Sequence, residues 1–228
     1  MGGYIKRIAA PKSWPILRKG AQYVTKPRAG AHNLQRGIPL GVLLVDLIKQ
    51  ARTTGEAKKI LKLNEILVDG VRRTDVKFIV GLMDTIAISG INKYYRVIIN
   101  KKGKIVIVDI SKEESSIKPC RIINKSLYKG KVQLNLYDGR NILVEKDDFK
   151  TGDTVVLKVP QQEIKDTIKL EKGVSVFLTG GKHIGEIGVI EDIIGNKAKY
   201  KLSSGDVVET PKNYVFPIGK DSPVVKLG

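Results

Sequence analysis

The chain has 228 residues, with 41 Lys plus Arg against 23 Asp plus Glu, a formal net charge of +18. That balance points to a polyanionic partner, nucleic acid or an acidic membrane surface, while a hydrophobic content of 42% excludes a globally disordered chain. No run approaches the roughly 18 apolar residues of a membrane helix, no apolar segment of the signal-peptide kind follows Lys6 and Arg7, and Cys120, the single cysteine, excludes an intrachain disulfide or a thiolate zinc site within one chain.

Residues 1–45 hold eight basic residues and no acidic one: Lys6, Arg7, Lys12, Arg18, Lys19, Lys26, Arg28 and Arg36. Pro11, Pro15 and Pro27 block helix interiors there, and Gly20, Gly30 and Gly37 loosen the chain. Such a segment reads as a basic arm that orders on nucleic acid. Trp14 either stacks on a base or covers an apolar surface of the folded body.

Residues 40–50 read as helix, with Leu43, Leu44, Leu47 and Ile48 on one face. A second helix starts after Thr53-Thr54, where Thr53 and Glu56 match a capping box and Ala57, Ile60 and Leu61 follow. Lys58, Lys59 and Lys62 lie off that apolar face, as a solvated face or as one that tracks phosphates. Ile66 to Val68 is a short strand, Asp69-Gly70 a turn signal, and Arg72-Arg73 a basic pair. Lys77 to Val80 and Thr85 to Ile88 are further strands.

After residue 90 the period becomes two. Tyr95 to Ile99 and Ile105 to Ile110 flank a Lys101-Lys102-Gly103-Lys104 turn; Val132 to Leu136, Ile142 to Glu145 and Asp153 to Val159 continue the pattern. Val174 to Leu178, Val189 to Ile194, Lys199 to Leu202, Val207 to Glu209 and Tyr214 to Pro217 suit a small barrel.

Tests for catalytic chemistry fail. Gly181-Lys182 is followed by His183 where a phosphate-binding loop needs Ser or Thr, and Val176 stands where its leading glycine belongs. His32 and His183, the only histidines, read as polar loop residues, and the chain has no Gly-x-Ser-x-Gly elbow. Glu113-Glu114 and Asp147-Asp148 read as solubilising pairs. No cofactor and no metal are implied.

Three segments carry a resemblance. Lys6-Arg7-Ile8-Ala9-Ala10-Pro11-Lys12-Ser13-Trp14-Pro15, continued by Lys26-Pro27-Arg28, Gly30 and His32, resembles the N-terminal signature of the archaeal and eukaryotic ribosomal protein S-four-e family. Residues 38–88, with Glu56 to Leu61, Val68-Asp69-Gly70 and Val80 to Asp84, resemble an S-four-type RNA-binding domain. Thr179 to Ile190 resembles a KOW motif. The short start and the length are similar to archaeal members.

The resemblance implies an α+β, multi-module fold. It has a basic arm (1–37), a two-helix plus sheet S-four-type domain (38–92), a β-rich central domain (93–170) and a KOW-containing SH3-like β-barrel (171–228). It implies a cytoplasmic, ribosome-bound structural constituent of the small subunit. The partners are folded small-subunit rRNA and neighbouring small-subunit proteins, with no membrane and no small-molecule substrate. Expected RNA contacts are the arm's eight basic residues with Trp14; Arg52, Lys58, Lys59, Arg72 and Arg73; and Lys182 with His183. Gly70, Gly181, Gly185 and Gly188 are expected to shape turns, Gly188 also a strand bend or bulge. The alternative is a KOW-type RNA-binding transcription or translation factor that is not permanently ribosomal. RNA-modifying enzymes also carry S-four-type domains, but this chain has no catalytic module.

Overall fold

The first strand pairing forms where the sequence reads least like regular structure. In the computed structural model, which describes residues 3–63, 65–145, 147–202, 205–220 and 222–227, β1 (Tyr4–Lys6) pairs antiparallel with β2 (Tyr23–Thr25). Ile5 and Val24 are partners on the inner face, while Tyr4, Lys6 and Tyr23 look outward. β3 (Gly37–Pro39) leads directly into α1 (Leu40–Val42). The expected helix then widens into a π-helical turn, Leu43–Leu47, in which the Ile48 amide donates to the Leu43 carbonyl at 2.9 Å.

The next helix, α2 (Thr54–Leu63), starts as the capping residues require. The Glu56 amide donates to Thr53 Oγ1 at 3.2 Å. The Glu56 carboxylate accepts from the Arg52 amide at 2.8 Å, one residue earlier than the capping-box pattern. Ala57 and Leu61 are buried, whereas Lys58, Lys59 and Lys62 are exposed.

β4 (Ile66–Val68) and β5 (Val71–Arg72) follow, then β6 (Ile79–Gly81), which pairs with β3. β7 (Thr85–Ile88), β8 (Lys93–Ile99) and β9 (Ile105–Asp109) complete a five-stranded sheet of order β5-β4-β7-β8-β9. A short α3 (Lys112–Ser115) has a full capping box from Ser111 and Glu114.

These elements form one of two compact units, Met1–Ile99 with Gly103–Ser116. Its apolar core draws on Trp14, Leu40, Leu43, Leu44, Leu61, Ile66, Val97 and Ile105. β8 and β9, grouped above with the central segment, therefore extend the sheet of the first unit.

The other unit is Asn100–Lys102 with Ile117–Gly228. β10 (Ile117–Tyr128), β11 (Lys131–Leu136), β12 (Asn141–Val144), β13 (Thr154–Lys158) and β14 (Glu163–Ile168) form a sheet of order β12-β11-β10-β13-β14. The long β10 changes partner: residues 117–121 pair with β13, and from Ile122 onward it pairs with β11. Pro119 falls in the stretch with a single ladder neighbour, where its missing N–H breaks no second ladder. Lys118 Nζ is buried 2.9 Å from Asp138 Oδ2, so this charge is already paired.

β15 (Ser175–Leu178), β16 (Ile187–Ile194), β17 (Lys197–Leu202), β18 (Val207–Pro211) and β19 (Val215–Gly219) form the last sheet, of order β18-β17-β16-β15-β19. Arg121 on β10 donates to the carbonyls of Asn213 at 2.7 Å and Val215 at 2.9 Å, and Tyr137 meets Phe216 edge-on with centroids 5.5 Å apart. Within this unit the two sheets are thus joined by backbone capture and ring packing. The described protein is mostly antiparallel β-sheet with few helices. No described helix is long and apolar enough to cross a membrane.

Candidate nucleic-acid interface

The N-terminal segment is packed, against the expectation of an arm that orders only on nucleic acid. Ala10, Trp14, Ile16 and Val24 join the core of the first unit. Trp14 is 1% exposed, and its Nε1–H donates to the Gly37 carbonyl at 2.8 Å. Of its two possible roles it takes the packing one, and no ring face is open to a base.

Arg18 explains how a proline- and glycine-punctuated loop holds its shape. Its guanidinium donates to four carbonyls, those of Arg7 (3.3 Å), Ile8 (3.1 Å), Ala10 (2.9 Å) and Pro11 (2.9 Å). Arg7 Nη1 donates to the Leu17 carbonyl at 2.8 Å, while its buried Nε has no hydrogen-bond partner.

His32 lies in a loop, as expected, but it is buried there. Its Nε2 lies 2.9 Å from the Asp84 carboxylate, which also accepts from the Gly81 amide at 2.8 Å. A Cβ on Gly81 would sit 2.4 Å from the imidazole ring, so glycine is required there. The remaining arm cations divide. Lys6, Lys12, Lys19, Arg28 and Arg36 are exposed, Arg28 lying 3.2 Å from Asp75, and Lys26 is half-buried.

Around α2 the predicted cations are exposed at Arg52, Lys58, Lys59 and Arg72; Arg73 is half-buried. The Asp69-Gly70 turn has φ of 51° and 74°, left-handed at both positions as a tight hairpin turn of this kind demands. It aims β5 back toward α2, and Arg72 Nη2 donates to the Lys62 carbonyl at 3.1 Å in the last helical turn. The Arg73 guanidinium lies over the Phe78 ring, 4.4 Å from its centroid, which uses it as packing.

In the turn between β15 and β16, Lys182 is exposed and His183 is half-buried, with Nδ1 3.1 Å from Glu186. Gly181 (φ 84°) and Gly185 (φ 78°) adopt the left-handed conformation that favours glycine. Gly188 does not: it lies inside β16, where a Cβ would sit 2.8 Å from the Lys201 carbonyl oxygen and from the Tyr200 ring. The irregularity in β16 falls between Ile190 and Asp192 instead. Gly188 is needed for close strand approach, not for a bend.

Two clefts in the first unit went unread in the sequence. One, of about 750 Å³, is lined by Leu17, Lys49, Arg52 and Lys104; the other, of about 120 Å³, by Tyr4, Arg7 and Tyr23. Val45 and Asp46, on the π-helical turn, line both. Burial raises the Asp46 carboxyl above the usual carboxylate range, and the nearby Arg7 charge partly offsets this. Lys104 reaches the cleft because the Ile105 amide donates to the Ser13 carbonyl at 2.8 Å. Such convergence across ninety residues has no local sequence signal.

Comparison with known proteins agrees along the chain. Residues 91–164 match the model described as ribosomal family S4e, and residues 4–35 match the RS4NT domain. The small ribosomal subunit protein eS4 of Methanocella arvoryzae is 44% identical over 99% of this chain and 97% of its own. That of Desulfurococcus amylolyticus is 39% identical over 100% and 97%. The crystal structure of 30S ribosomal protein S4e from Thermoplasma acidophilum superposes with a TM-score of 0.71 at 31% identity, covering 81% of this chain and 96% of that one. With identity of this level sustained from end to end and the fold shared, the chain belongs to the ribosomal S4e family.

Proposed function

We propose that this protein is a structural, non-catalytic constituent of the small ribosomal subunit that binds and stabilises folded small-subunit rRNA. The observation that carries the reading is end-to-end identity to proteins named for that subunit. The distribution of charge supports it. Within the first unit, residues 38–92 act as the S-four-type RNA-binding domain; in the second, the sheet β10–β14 acts as the central β domain and residues 171–228 as the KOW-containing SH3-like barrel.

The RNA contacts fall to cations that the fold leaves at its surface: Lys6, Lys12, Lys19, Lys26 and Arg36 in the N-terminal segment, with Arg28, whose exposed ion pair to Asp75 can be exchanged for a phosphate, and Arg52, Lys58, Lys59 and Arg72 around α2. Lys182 and His183 contribute from the KOW turn. Arg7, Arg18 and Arg73 hold the cationic surface in shape, and Trp14 anchors it. Lysines outnumber arginines among the contacts, which suits phosphate neutralisation and shape recognition over base reading. The neighbours are other small-subunit proteins, and the site of action is the ribosome in the cytoplasm.

Sucrose-gradient sedimentation of a cell extract, probed for this chain, tests the proposal. It is expected with the small subunit, surviving moderate salt. Recovery only in the soluble fraction would overturn it.

A further inference from the structure

The two clefts share Val45 and Asp46 as lining residues, and the groove they outline has different chemistry at its two ends. At the narrow end stand Tyr4 and Tyr23, 58% and 53% exposed on the outer face of the β1–β2 pair. Tyr4 faces Thr25 and Tyr23 faces Lys6, so the two tyrosines are diagonal neighbours, roughly 7 Å apart in such a ladder. That is about twice the 3.4 Å spacing of stacked bases. The narrow end has the volume of a single planar base, and no duplex edge fits it. At the broad end, Lys49, Arg52 and Lys104 supply three cations and no aromatic ring.

Between the ends lies Asp46, a carboxylate that would repel a phosphate. It is suited to a base edge that presents only donors toward it. Guanine does so with N1–H and the N2 amino group side by side; adenine and cytosine pair each amino group with an acceptor, and uracil has no amino group. The backbone here departs from regular geometry twice: the π-helical turn carries Val45 and Asp46, and Lys49 has φ of 59° without being glycine. Both features are over-represented at functional sites. Arg7, with its unpartnered Nε, lines the narrow end beside Asp46.

We propose that this groove holds a single-stranded RNA segment, one guanine stacking between Tyr4 and Tyr23 with its edge on Asp46, and the adjoining phosphates passing along Lys49, Arg52 and Lys104. The inference deepens the RNA-binding reading and rests on it. It adds a base-specific contact to a protein otherwise equipped for phosphates.

The test uses the full chain and three labelled heptamers, UUUGUUU, UUUAUUU and UUUUUUU, read by fluorescence anisotropy. The guanine heptamer is expected to bind about tenfold tighter than the others. Tyr4→Ala or Tyr23→Ala should weaken all three by about tenfold, whereas Tyr4→Phe, which keeps the ring, retains affinity. Asp46→Ala should abolish the guanine preference. Lys49→Ala and Lys104→Ala should each lower the salt slope by about 0.7. Tyr128→Ala, an exposed ring on β10, should change nothing. Equal affinity of the wild type and both Tyr→Ala variants overturns the groove, as does equal affinity for the three heptamers. A full-length small-subunit rRNA transcript separates the two readings. If the transcript binds and the heptamers do not, the groove proposal falls alone and that surface is left to a protein neighbour. If neither binds, both readings fall.

Discussion

Asp46 is an expensive residue for the fold to keep. Burial raises its carboxyl above the usual range, so the folded protein holds that proton to a higher pH than the unfolded chain does. Stability linked to it is full below the ordinary carboxylate value and declines as pH rises through the folded value. Asp46→Asn is therefore expected to be more stable than the wild type near neutral pH and to lose that advantage in acid. Urea unfolding at about pH 3 and about pH 7 checks this; an equal difference at both would refute it. Other single residues are legible in the sequence, but their partners are not. Trp14 was visible as a candidate for packing, since isolated tryptophans bury well. That it bonds Gly37, or that His32 meets Asp84, depends on tertiary proximity over 23 and 52 positions, which no local pattern encodes.

Among the elements, those bounded by strong turn chemistry were legible. Asp69-Gly70 between short apolar runs became β4 and β5, and Thr85 to Ile88 became β7 without a change of bounds. β1 and β2 were not, because three-residue strands in a proline- and glycine-rich segment have no period to read. β10 was hidden by Pro119 and by a buried lysine, and β14 by its charged residues. The capping box of α3, Ser111 with Glu114, is a local pattern, but the helix it starts is only four residues long and has no apolar period to mark it. Close strand approach is the one element-scale property a glycine can betray. Gly188→Ala would drive a methyl group against the Lys201 carbonyl, and should cost about 1–3 kcal/mol in denaturant unfolding. A loss below about 0.5 kcal/mol would show that β17 yields instead.

For the whole molecule, the charge of +18 is carried on a scaffold that spends some of its cations internally. A chain lacking residues 1–36 would lose all eight arm cations, and with them Trp14, Ile16, Val24 and the His32 partner of Asp84. It is expected to lose amide protection throughout the first unit while the second unit, which has its own cores, stays protected. Full protection of the first unit would show that the arm is dispensable. Substituting only Lys6, Lys12, Lys19, Arg28 and Arg36 spares the packing and should lower the salt slope of rRNA affinity by up to about 4.

The bond between Ser13 and Ile105 has a consequence in time. Translation at about 5–20 residues per second makes the first partner several seconds before the second. Through that interval the core that Trp14, Ile16 and the paired β1 and β2 enter stays incomplete, since Val97 and Ile105 do not yet exist. The beginning of the polypeptide waits, apolar and strongly cationic, beside the anionic surface of the ribosome that is making it. Closure of the first unit is thus gated by synthesis of its last two strands, and Trp14, the only tryptophan, is a built-in fluorophore for watching it happen.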